Sequence, residues 1–441
     1  MQMTRRAMMA AMAAGASELA GKKSEEAPLV LVVGARPARV AKGYRIRTIE
    51  SSGKAEFPPQ GTAYRENGES HRIWRTIHAL APSLVVDPAG LSGLAKALEG
   101  KVPVVSACPK HAPELSQLAR TQAAQLARSP HALLEQLGGT YGHVLTEVVY
   151  IQGLACMGRM RLGAVSDVET LAAPYVDGRA DSFGKPGSTL LAGHLLFAAL
   201  YDRTGKRVYL DRVLAAANLG FEVDGSPKVS MPYHNEMSDS VFMGCPILGQ
   251  AARLTGEARY AAMAVRHLRF MQGLCLRGDG LYRHSPLSEA PWGRGNAFPA
   301  LGLALLLEAL PAGDPHVAES FRNLMRALLP YQDADGLWHQ VVDRADSYAE
   351  FSATAMIAAA MIKGMRGGWI ERGAYQPCVA RAWGAIQRRT AADGTVLDVC
   401  ESTGKQSSVE GYLNRAAIWG KDPRGGAMAM LLAGEMEQGS L

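Results

Sequence analysis

The sequence predicts a mainly α-helical fold, an (α/α)6 barrel preceded by a small α/β segment. Beyond residue 109, twelve apolar segments with helical periodicity recur, separated by short loops rich in Gly, Asp and Pro. Some of these segments are apolar on every side, as in Ala355–Met361. Six helical hairpins closed into a ring bury each inner helix completely, which explains such segments. An open solenoid is the alternative, but the sequence contains no repeat of fixed period.

We predict a barrel domain over residues 109–441. Its helices are expected at residues 112–137, 142–162, 188–203, 207–221, 239–254, 257–274, 295–310, 315–331, 348–367, 374–389, 408–418 and 424–437. Three Asp-Gly turns, at Asp279, Asp335 and Asp393, recur between successive predicted helices of its second half. We expect these turns at one end of the ring, where the polar residues that follow them converge on its mouth.

A small α/β domain is predicted over residues 28–108. Its expected elements are strands at Leu29–Gly34, Tyr44–Ile49, Leu84–Asp87 and Val102–Ser106, and a helix at Glu69–Leu80. The first strand ends at Gly34, but the residues after it lack the spacing of a phosphate-binding glycine loop. The sequence therefore predicts an accessory domain of unknown role.

Residues 1–27 are predicted to lie outside the fold. Arg5 and Arg6 precede a run made only of Ala, Met and Gly, Ala7–Ala16, which resembles the charged and apolar parts of a twin-arginine export signal. We therefore expect a periplasmic or secreted protein. The alternative is a disordered tail on a cytoplasmic protein.

Composition excludes several classes of function. The chain has 441 residues, 48% hydrophobic and 20% charged, with a net charge of +6 that is not gathered into basic blocks, so nucleic-acid binding is not indicated. It contains no stretch long and apolar enough to span a membrane. The six cysteines form no CxxC pair, and we expect buried free thiols, no metal site and no cofactor. A monomer or homodimer is expected.

Four clusters combine aromatic, charged and amide residues: Tyr233–Asp239, Tyr282–Pro286, Trp292–Asn296 and Asp346–Thr354. Most of them precede or open an apolar helix, whose free N–H groups favour an anion. Aromatic rings can stack on a sugar, and arginine can bind a carboxylate with two hydrogen bonds. In the first cluster, Asp239 is either the N-cap of the following helix or a carboxyl group that donates a proton.

Three sequence strings carry a family resemblance. They are Met237-Ser-Asp239-Ser-Val-Phe-Met243-Gly-Cys-Pro246, Trp292-Gly-Arg294-Gly-Asn296, and Ser347-Tyr348-Ala-Glu350-Phe-Ser352-Ala-Thr354-Ala-Met356. The sequence from roughly Gly187 to Met436 resembles the unsaturated glucuronyl and rhamnogalacturonyl hydrolases of glycoside hydrolase families 88 and 105. The resemblance implies an (α/α)6 barrel and an oligosaccharide substrate that ends in a 4,5-unsaturated uronic acid.

The resemblance also implies a mechanism and a set of site residues. One aspartate, matched by Asp239, protonates C4 of the C4=C5 double bond and then, as a base, takes a proton from the water that attacks C5. The hemiketal collapses and the glycosidic bond breaks. His284, Trp292 and Arg294 resemble residues that hold the unsaturated sugar. We expect further substrate contacts from the residues His234, Arg283, Asn296, Tyr348 and Glu350.

The sequence departs from the family pattern at two places. Ser188 and Thr189 stand about where these families carry a second aspartate, and the α/β segment is no part of their usual architecture. Two alternative functions therefore stay open. One is a non-catalytic carbohydrate-binding or envelope protein with a decayed barrel. The other is a sugar epimerase on the same barrel, which would use a pair of histidines such as His234 and His284.

Overall fold

The computed structural model describes residues 28–34, 45–59, 68–80, 82–99, 102–108, 124, 126–310 and 314–438. The signal-like segment 1–27, the predicted domain boundary at 109 and the predicted start of the first barrel helix at 112 lie outside the described residues. None of the helices in the described part is long and apolar enough to cross a membrane.

The α/β segment forms a four-stranded parallel sheet with the strand order β2-β1-β3-β4. Its elements are β1 (Leu29–Val33), β2 (Arg45–Ile49), α1 (Gly68–Leu80), β3 (Leu84–Val86), α2 (Leu94–Ala97) and β4 (Val104–Val105). β1 is apolar on both faces. Leu31 and Val33 pack with Trp74 of α1, whereas Val30 and Val32 belong to a core on the other face. The four strands and α1 agree with the sequence predictions to within two residues at each end, whereas α2 was not predicted.

Fourteen described helices follow. They are α3 (Pro130–Gly138), α4 (Tyr150–Arg161), α5 (Val165–Val176), α6 (Ser188–Gly193), α7 (Leu195–Thr204), α8 (Arg207–Asn218), α9 (Ser240–Thr255), α10 (Ala258–Cys275), α11 (Gly293–Ala309), α12 (Pro315–Leu328), α13 (Phe351–Arg366), α14 (Arg372–Arg388), α15 (Val409–Leu413) and α16 (Pro423–Gln438). Two short antiparallel sheets pair β5 (Trp338–His339) with β6 (Ala349–Glu350) and β7 (Val396–Cys400) with β8 (Ala417–Gly420).

The helices close into a double ring, which confirms the predicted (α/α)6 barrel. The inner ring runs α4, α6, α9, α11, α13, α16 and back to α4, each helix packed on the next. The helices α5, α8, α10, α12 and α14 form the outer layer, and α3 completes it by packing on α16. The first outer helix and the last inner helix therefore close the ring together.

Burial explains which helices lie inside. Every residue of α13 from Phe351 to Met365 is buried, as expected for a helix surrounded by protein. The outer helix α12 is buried only along one stripe, which includes Phe321 and Leu328. Inner helices also approach closely: a Cβ on Gly302 of α11 would lie 2.7 Å from the Cα of Phe242 in α9.

All inner helices run in the same direction, because an outer helix precedes each of them and returns the chain to the same end of the barrel. Their first residues, which meet at one end of the barrel, are Tyr150, Ser188, Ser240, Gly293, Phe351 and Pro423. The Asp-Gly turns lie in connections at this end, as predicted, and their glycines have φ values of 87°, 96° and 85°. That backbone conformation favours glycine over residues that carry a Cβ atom.

The opposite end of the barrel is held by buried charges. Glu435 of α16 is fully buried and pairs with Lys363, Arg366 and Arg161, the last at 2.6 Å. These cations lie in the last turns of inner helices, where the helix macrodipole favours positive charge. Burial raises the pKa of Glu435, but the three cations outweigh it and the net shift is downward.

Several helix predictions were wrong. The helix α5 was not predicted, because only three of its residues, Val168, Ala172 and Tyr175, are buried and the apolar pattern is weak. The predicted helix 408–418 is only the short α15 followed by β8, which pairs with β7. The predicted helix 188–203 divides at His194 into α6 and α7, and residues 142–149 are not helical. The count of twelve hairpin helices therefore holds, with α5 in place of 408–418.

Candidate active site

Asp239 lies directly before the inner helix α9 and does not cap it. Its side chain makes no hydrogen bond to the helix N-terminus, and the side chain is 13% exposed. By contrast, Asp314 before the outer helix α12 accepts hydrogen bonds from the N–H groups of His316 and Val317. The structure therefore decides against the N-cap alternative for Asp239.

His284 faces Asp239 from the loop between α10 and α11. The imidazole is fully buried, and its Nε2 lies 3.3 Å from Oδ1 of Asp239, although the two atoms are not aligned for a hydrogen bond. Its Nδ1 is 2.8 Å from the hydroxyl of Tyr412, which accepts a hydrogen bond from the N–H of Gln406. If the Tyr412 hydroxyl donates its proton to Nδ1, the ring carries an N–H on Nε2, which faces Asp239.

Trp292 packs against the imidazole of His284, and the guanidinium group of Arg294 packs on the indole ring. The ring centroids of Trp292 and His284 are 4.5 Å apart, and the guanidinium carbon of Arg294 lies 4.6 Å from the indole ring. Three atoms here, Oδ1 of Asp239, Nε2 of His284 and Nε1 of Trp292, are buried and make no hydrogen bond within the described structure. Buried polar atoms without partners are uncommon, and three of them in contacting residues mark a place where a polar ligand fits.

Arg294 is held by the protein rather than by solvent. Its guanidinium donates to the carbonyl oxygens of Cys400 at 2.6 Å and Glu401 at 2.8 Å, and to Oγ of Ser352 at 3.3 Å. These bonds engage three of the five N–H groups of an arginine. Glu350 lies 3.6 Å from it. The positive charge is thus fixed at the N-terminal end of the inner ring.

Tyr150 and Arg424 complete the charged centre. Tyr150 opens the inner helix α4, its hydroxyl contacts Arg424 at the start of α16, and its ring packs edge-on against Phe242. Burial raises the pKa of Tyr150, Arg294 and Arg424 oppose the rise, and Asp239 adds to it. All three charged groups therefore act on one phenol, which places them around a common centre.

Two predicted site residues brace this centre. Glu350 is fully buried, accepts from the N–H groups of Ser352 and Ala353 as the N-cap of α13, and accepts from the N–H of Cys400 at 2.8 Å. Asn296 is also fully buried, and its amide bonds to both backbone groups of Tyr282 and to the carbonyl of Trp292. These contacts are all internal, so direct contact of either residue with a substrate stays a prediction.

The other predicted residues are less central. Tyr348 is buried, and its hydroxyl donates to the carbonyl of Ala416 at 3.2 Å. Arg283 binds the carbonyl of Leu274 at 2.9 Å and pairs with Glu289, away from Asp239.

His234 lies on a loop of unusual backbone. Its Nδ1 accepts from the N–H of Glu236 at 2.9 Å, and burial lowers its pKa. The neighbouring residues Tyr233, Asn235 and Glu236 all have positive φ, a conformation that non-glycine residues rarely adopt and that concentrates at functional sites.

The two substituted positions of the family pattern open the inner helix α6. Ser188 is its first residue and is buried. Beside it lies a pocket of about 310 Å³, whose lining includes Glu147, Asp181 and Lys185. A larger cavity of about 670 Å³ lies between α10 and α12 and contains none of the predicted site residues. The pocket at α6 therefore provides carboxylates near the place where the pattern lacks one.

Sequence reasoning missed Tyr150, Arg424 and Tyr412. Arg424 was accessible in principle, because it opens the predicted helix 424–437, whereas Tyr150 lies inside the predicted helix 142–162, whose observed start is later. Tyr412 carried no such signal, since it lies 128 residues after His284, in a segment whose structure was wrongly predicted.

The closed ring of six hairpins, with a carboxylate, an imidazole and an arginine–tryptophan pair at the inner helix N-termini, has the architecture of the six-hairpin glycosidases. The model of Glycosyl Hydrolase Family 88 matches residues 176–439, more than half of the chain. The chain therefore belongs to glycosyl hydrolase family 88.

Two curated relatives and one solved structure are similar to it. The unsaturated rhamnogalacturonyl hydrolase YesR of Bacillus subtilis is 34% identical over 142 residues, 31% of this chain and 39% of that protein. An unsaturated 3S-rhamnoglycuronyl hydrolase of Formosa agariphila is 32% identical over 179 residues, 36% and 48% of the two chains. The chain thus spans less than half of the length of these relatives. A possible GH105 member from Klebsiella pneumoniae has the same fold, with TM-score 0.60 and 21% identity over 70% of this chain and 93% of that one.

Proposed function

We propose that this protein hydrolyses oligosaccharides that end in a 4,5-unsaturated uronic acid, with Asp239 as the general acid and base. The observation that carries the proposal is the uncapped carboxylate of Asp239, 3.3 Å from the buried His284 at the mouth of the inner ring. The names of the relatives in Bacillus subtilis and Formosa agariphila support the same substrate class.

The surroundings of Asp239 suit an anionic sugar. The N-termini of six parallel inner helices meet at this end, and each contributes partial positive charge. The buried Arg294 and the partly buried Arg424 add full charges. A uronic acid carboxylate is therefore attracted to the mouth, and the indole of Trp292 offers an apolar face to the sugar ring.

The proposed reaction proceeds by hydration of the C4=C5 double bond. Asp239, in its protonated form, donates its proton to C4. Positive charge then develops at C5, and the Asp239 carboxylate takes a proton from the water that adds to C5. The resulting hemiketal opens, and the glycosidic bond breaks. The buried imidazole of His284 lies beside the Asp239 carboxyl group, with Nε2 3.3 Å from Oδ1, and Tyr412 holds the imidazole in place.

Loss of ultraviolet absorbance tests this proposal, because the conjugated C4=C5 acid absorbs and the product does not. We expect turnover of unsaturated disaccharides prepared with several polysaccharide lyases. Asp239→Asn should lower the rate by about 10²- to 10⁴-fold, the usual contribution of a general acid or base. The matched control is Asp314→Asn, because asparagine is as good an N-cap as aspartate and α12 lies in the outer layer.

Three results would contradict the proposal. Full activity of Asp239→Asn would exclude Asp239 as the proton donor. Saccharide binding without any turnover would favour a carbohydrate-binding protein, and an isomerised sugar without a new reducing end would favour an epimerase.

Export through residues 1–27 and a monomeric or dimeric state remain predictions, which cell fractionation and size-exclusion chromatography with light scattering can test.

A further inference from the structure

The α/β domain reaches the candidate active site through one strand. β7 of the barrel is buried at all five residues, and three cores meet along it. Val396 and Val399 belong to the main barrel core, Leu397 completes the core of the α/β domain, and Cys400 lies in the small core that contains Trp292. A shift of this strand therefore affects both domains.

The backbone of β7 is irregular where it meets the α/β domain. The pairing with β8 changes register between Val396 and Val399, and Asp398 has a φ of 59°. Such a conformation at a non-glycine residue persists only where the surroundings hold it. Two contacts hold it here: the Leu397 side chain in the α/β core, and the buried Arg389, whose Nε lies 3.3 Å from Oδ2 of Asp398.

Arg75 of helix α1, in the α/β domain, interacts electrostatically with Asp398. Burial lowers the pKa of Arg75 to about 10, and Asp398 is the strongest of the charges that oppose this shift. Helix α1 packs on the outer barrel helix α14, which places the arginine beside the base of β7. The domain thus contacts β7 through the side chain of Leu397, and the charge of Arg75 is attracted to Asp398.

The far end of β7 holds the positive charges of the site. The N–H of Cys400 donates to Oε1 of Glu350 at 2.8 Å. Its carbonyl oxygen accepts from Arg294 at 2.6 Å and from Arg424 at 3.3 Å. Only two residues separate this peptide from Leu397. The positions of both guanidinium groups are therefore coupled to the packing of the Leu397 side chain in the α/β core.

We infer that the α/β domain acts as a clamp on β7, and that Leu397 is a positioning residue that holds Arg294 and Arg424 for the anionic substrate. In kinetic terms this inference rests on the proposed function. The clamp itself is a statement about backbone order at Cys400, which can be measured without substrate.

Leu397→Ala tests the clamp in the full-length chain. The arginines bind the uronate in the ground state and the transition state alike, so we expect KM to rise about tenfold while kcat changes much less. Leu397→Met, which refills the same space, should restore KM. Leu397→Val provides a milder loss that keeps the test available if the alanine variant does not fold. The matched control is Leu200→Ala, an equally buried leucine of α7 in the main barrel core.

Hydrogen exchange followed by mass spectrometry gives a readout that is independent of activity. Leu397→Ala should speed exchange in peptides that contain Cys400, whose N–H is bonded to Glu350, and Leu200→Ala should leave it unchanged. Unchanged exchange at Cys400, or an equal rise of KM in both alanine variants, would overturn the clamp. Absence of turnover by the wild-type protein, with the exchange result as expected, would instead remove the proposed function and keep the clamp.

Discussion

Acidification should destabilise the loop that carries Asp239, because His267 forms hydrogen bonds with residues at both ends of that loop. His267 lies on the outer helix α10 and is fully buried. Its Nδ1 accepts from the N–H of Met231 at 3.2 Å, and its Nε2 lies 2.9 Å from the carbonyl oxygen of Ser240. Both contacts are satisfied only by the neutral ring with its proton on Nε2. Protonation of Nδ1 would direct a second N–H at the N–H of Met231.

The size of the effect follows from the pKa shift. Burial lowers the pKa of His267 to about 4 from its usual 6.5, and a nearby His234 acts in the same direction. The unfolded chain therefore binds a proton between pH 6.5 and pH 4 that the folded protein does not bind. Stability is fully present above pH 6.5 and is lost as the pH falls through this window. At 1.36 kcal/mol per pKa unit, lowering the pH from 7 to 4.5 should remove about 2 kcal/mol.

Urea unfolding of the wild type and of His267→Gln at several pH values measures this contribution. Glutamine can keep both hydrogen bonds but does not titrate, so the variant should be less stable at pH 7 and should lose about 2 kcal/mol less by pH 4.5. Burial lowers the pKa of His194 to about 4 as well, but this group is present in both proteins and cancels in the difference. If the free energies of unfolding of the two proteins fell in parallel with pH, the assignment of His267 as a buried neutral histidine that stabilises the fold would be refuted.

Three further predictions concern the barrel and the site. Glu435→Gln should lower the free energy of unfolding at pH 7 by about 3 kcal/mol, because three cations lose their buried partner. The melting temperature of this variant should also fall less on acidification than that of the wild type, since the lowered pKa of Glu435 makes its contribution disappear as the pH falls. Tyr412→Phe should lower kcat by up to about tenfold and change its pH profile, because His284 loses the hydroxyl at Nδ1, while the melting temperature stays nearly constant. Gly302→Ala should destabilise the barrel by about 1 to 3 kcal/mol in calorimetry, because its Cβ meets the backbone of the neighbouring inner helix, whereas Gly373→Ala, which meets nothing, should not.

Local patterns predicted the parts of the molecule that local interactions determine. The inner helices were recognisable because a ring of hairpins buries them on all sides, as in α13. The Asp239 string could be placed at the mouth of a helix from the apolar run that follows it. Whether Asp239 caps its helix or serves as a catalytic residue could not be predicted in this way. The answer depends on whether the carboxylate points towards its own helix or towards His284, which lies on another loop.

Long-range contacts explain what could not be predicted. The bracing of Arg294 by Cys400 and Glu401 joins residues more than 100 positions apart. The register change in β7 conceals the alternation that reveals a strand, so β7 was not predicted. Likewise, α15 and β8 fall in a segment whose apolar residues happen to match a helical period.

The closure of the ring has a consequence for the order of folding. The last inner helix α16 contacts α4 and α13, and its carbonyl at Gly434 binds Arg161, 273 residues earlier in the chain. During synthesis the flanks of α4 and α13 therefore stay uncovered until α16 arrives, and contacts of such separation form slowly. Because α16 also brings Arg424 to Tyr150 and Cys400, the positive centre of the mouth is the last part of the barrel to be assembled. In an incompletely folded molecule, Arg424 is therefore absent from the positive centre until the barrel has closed.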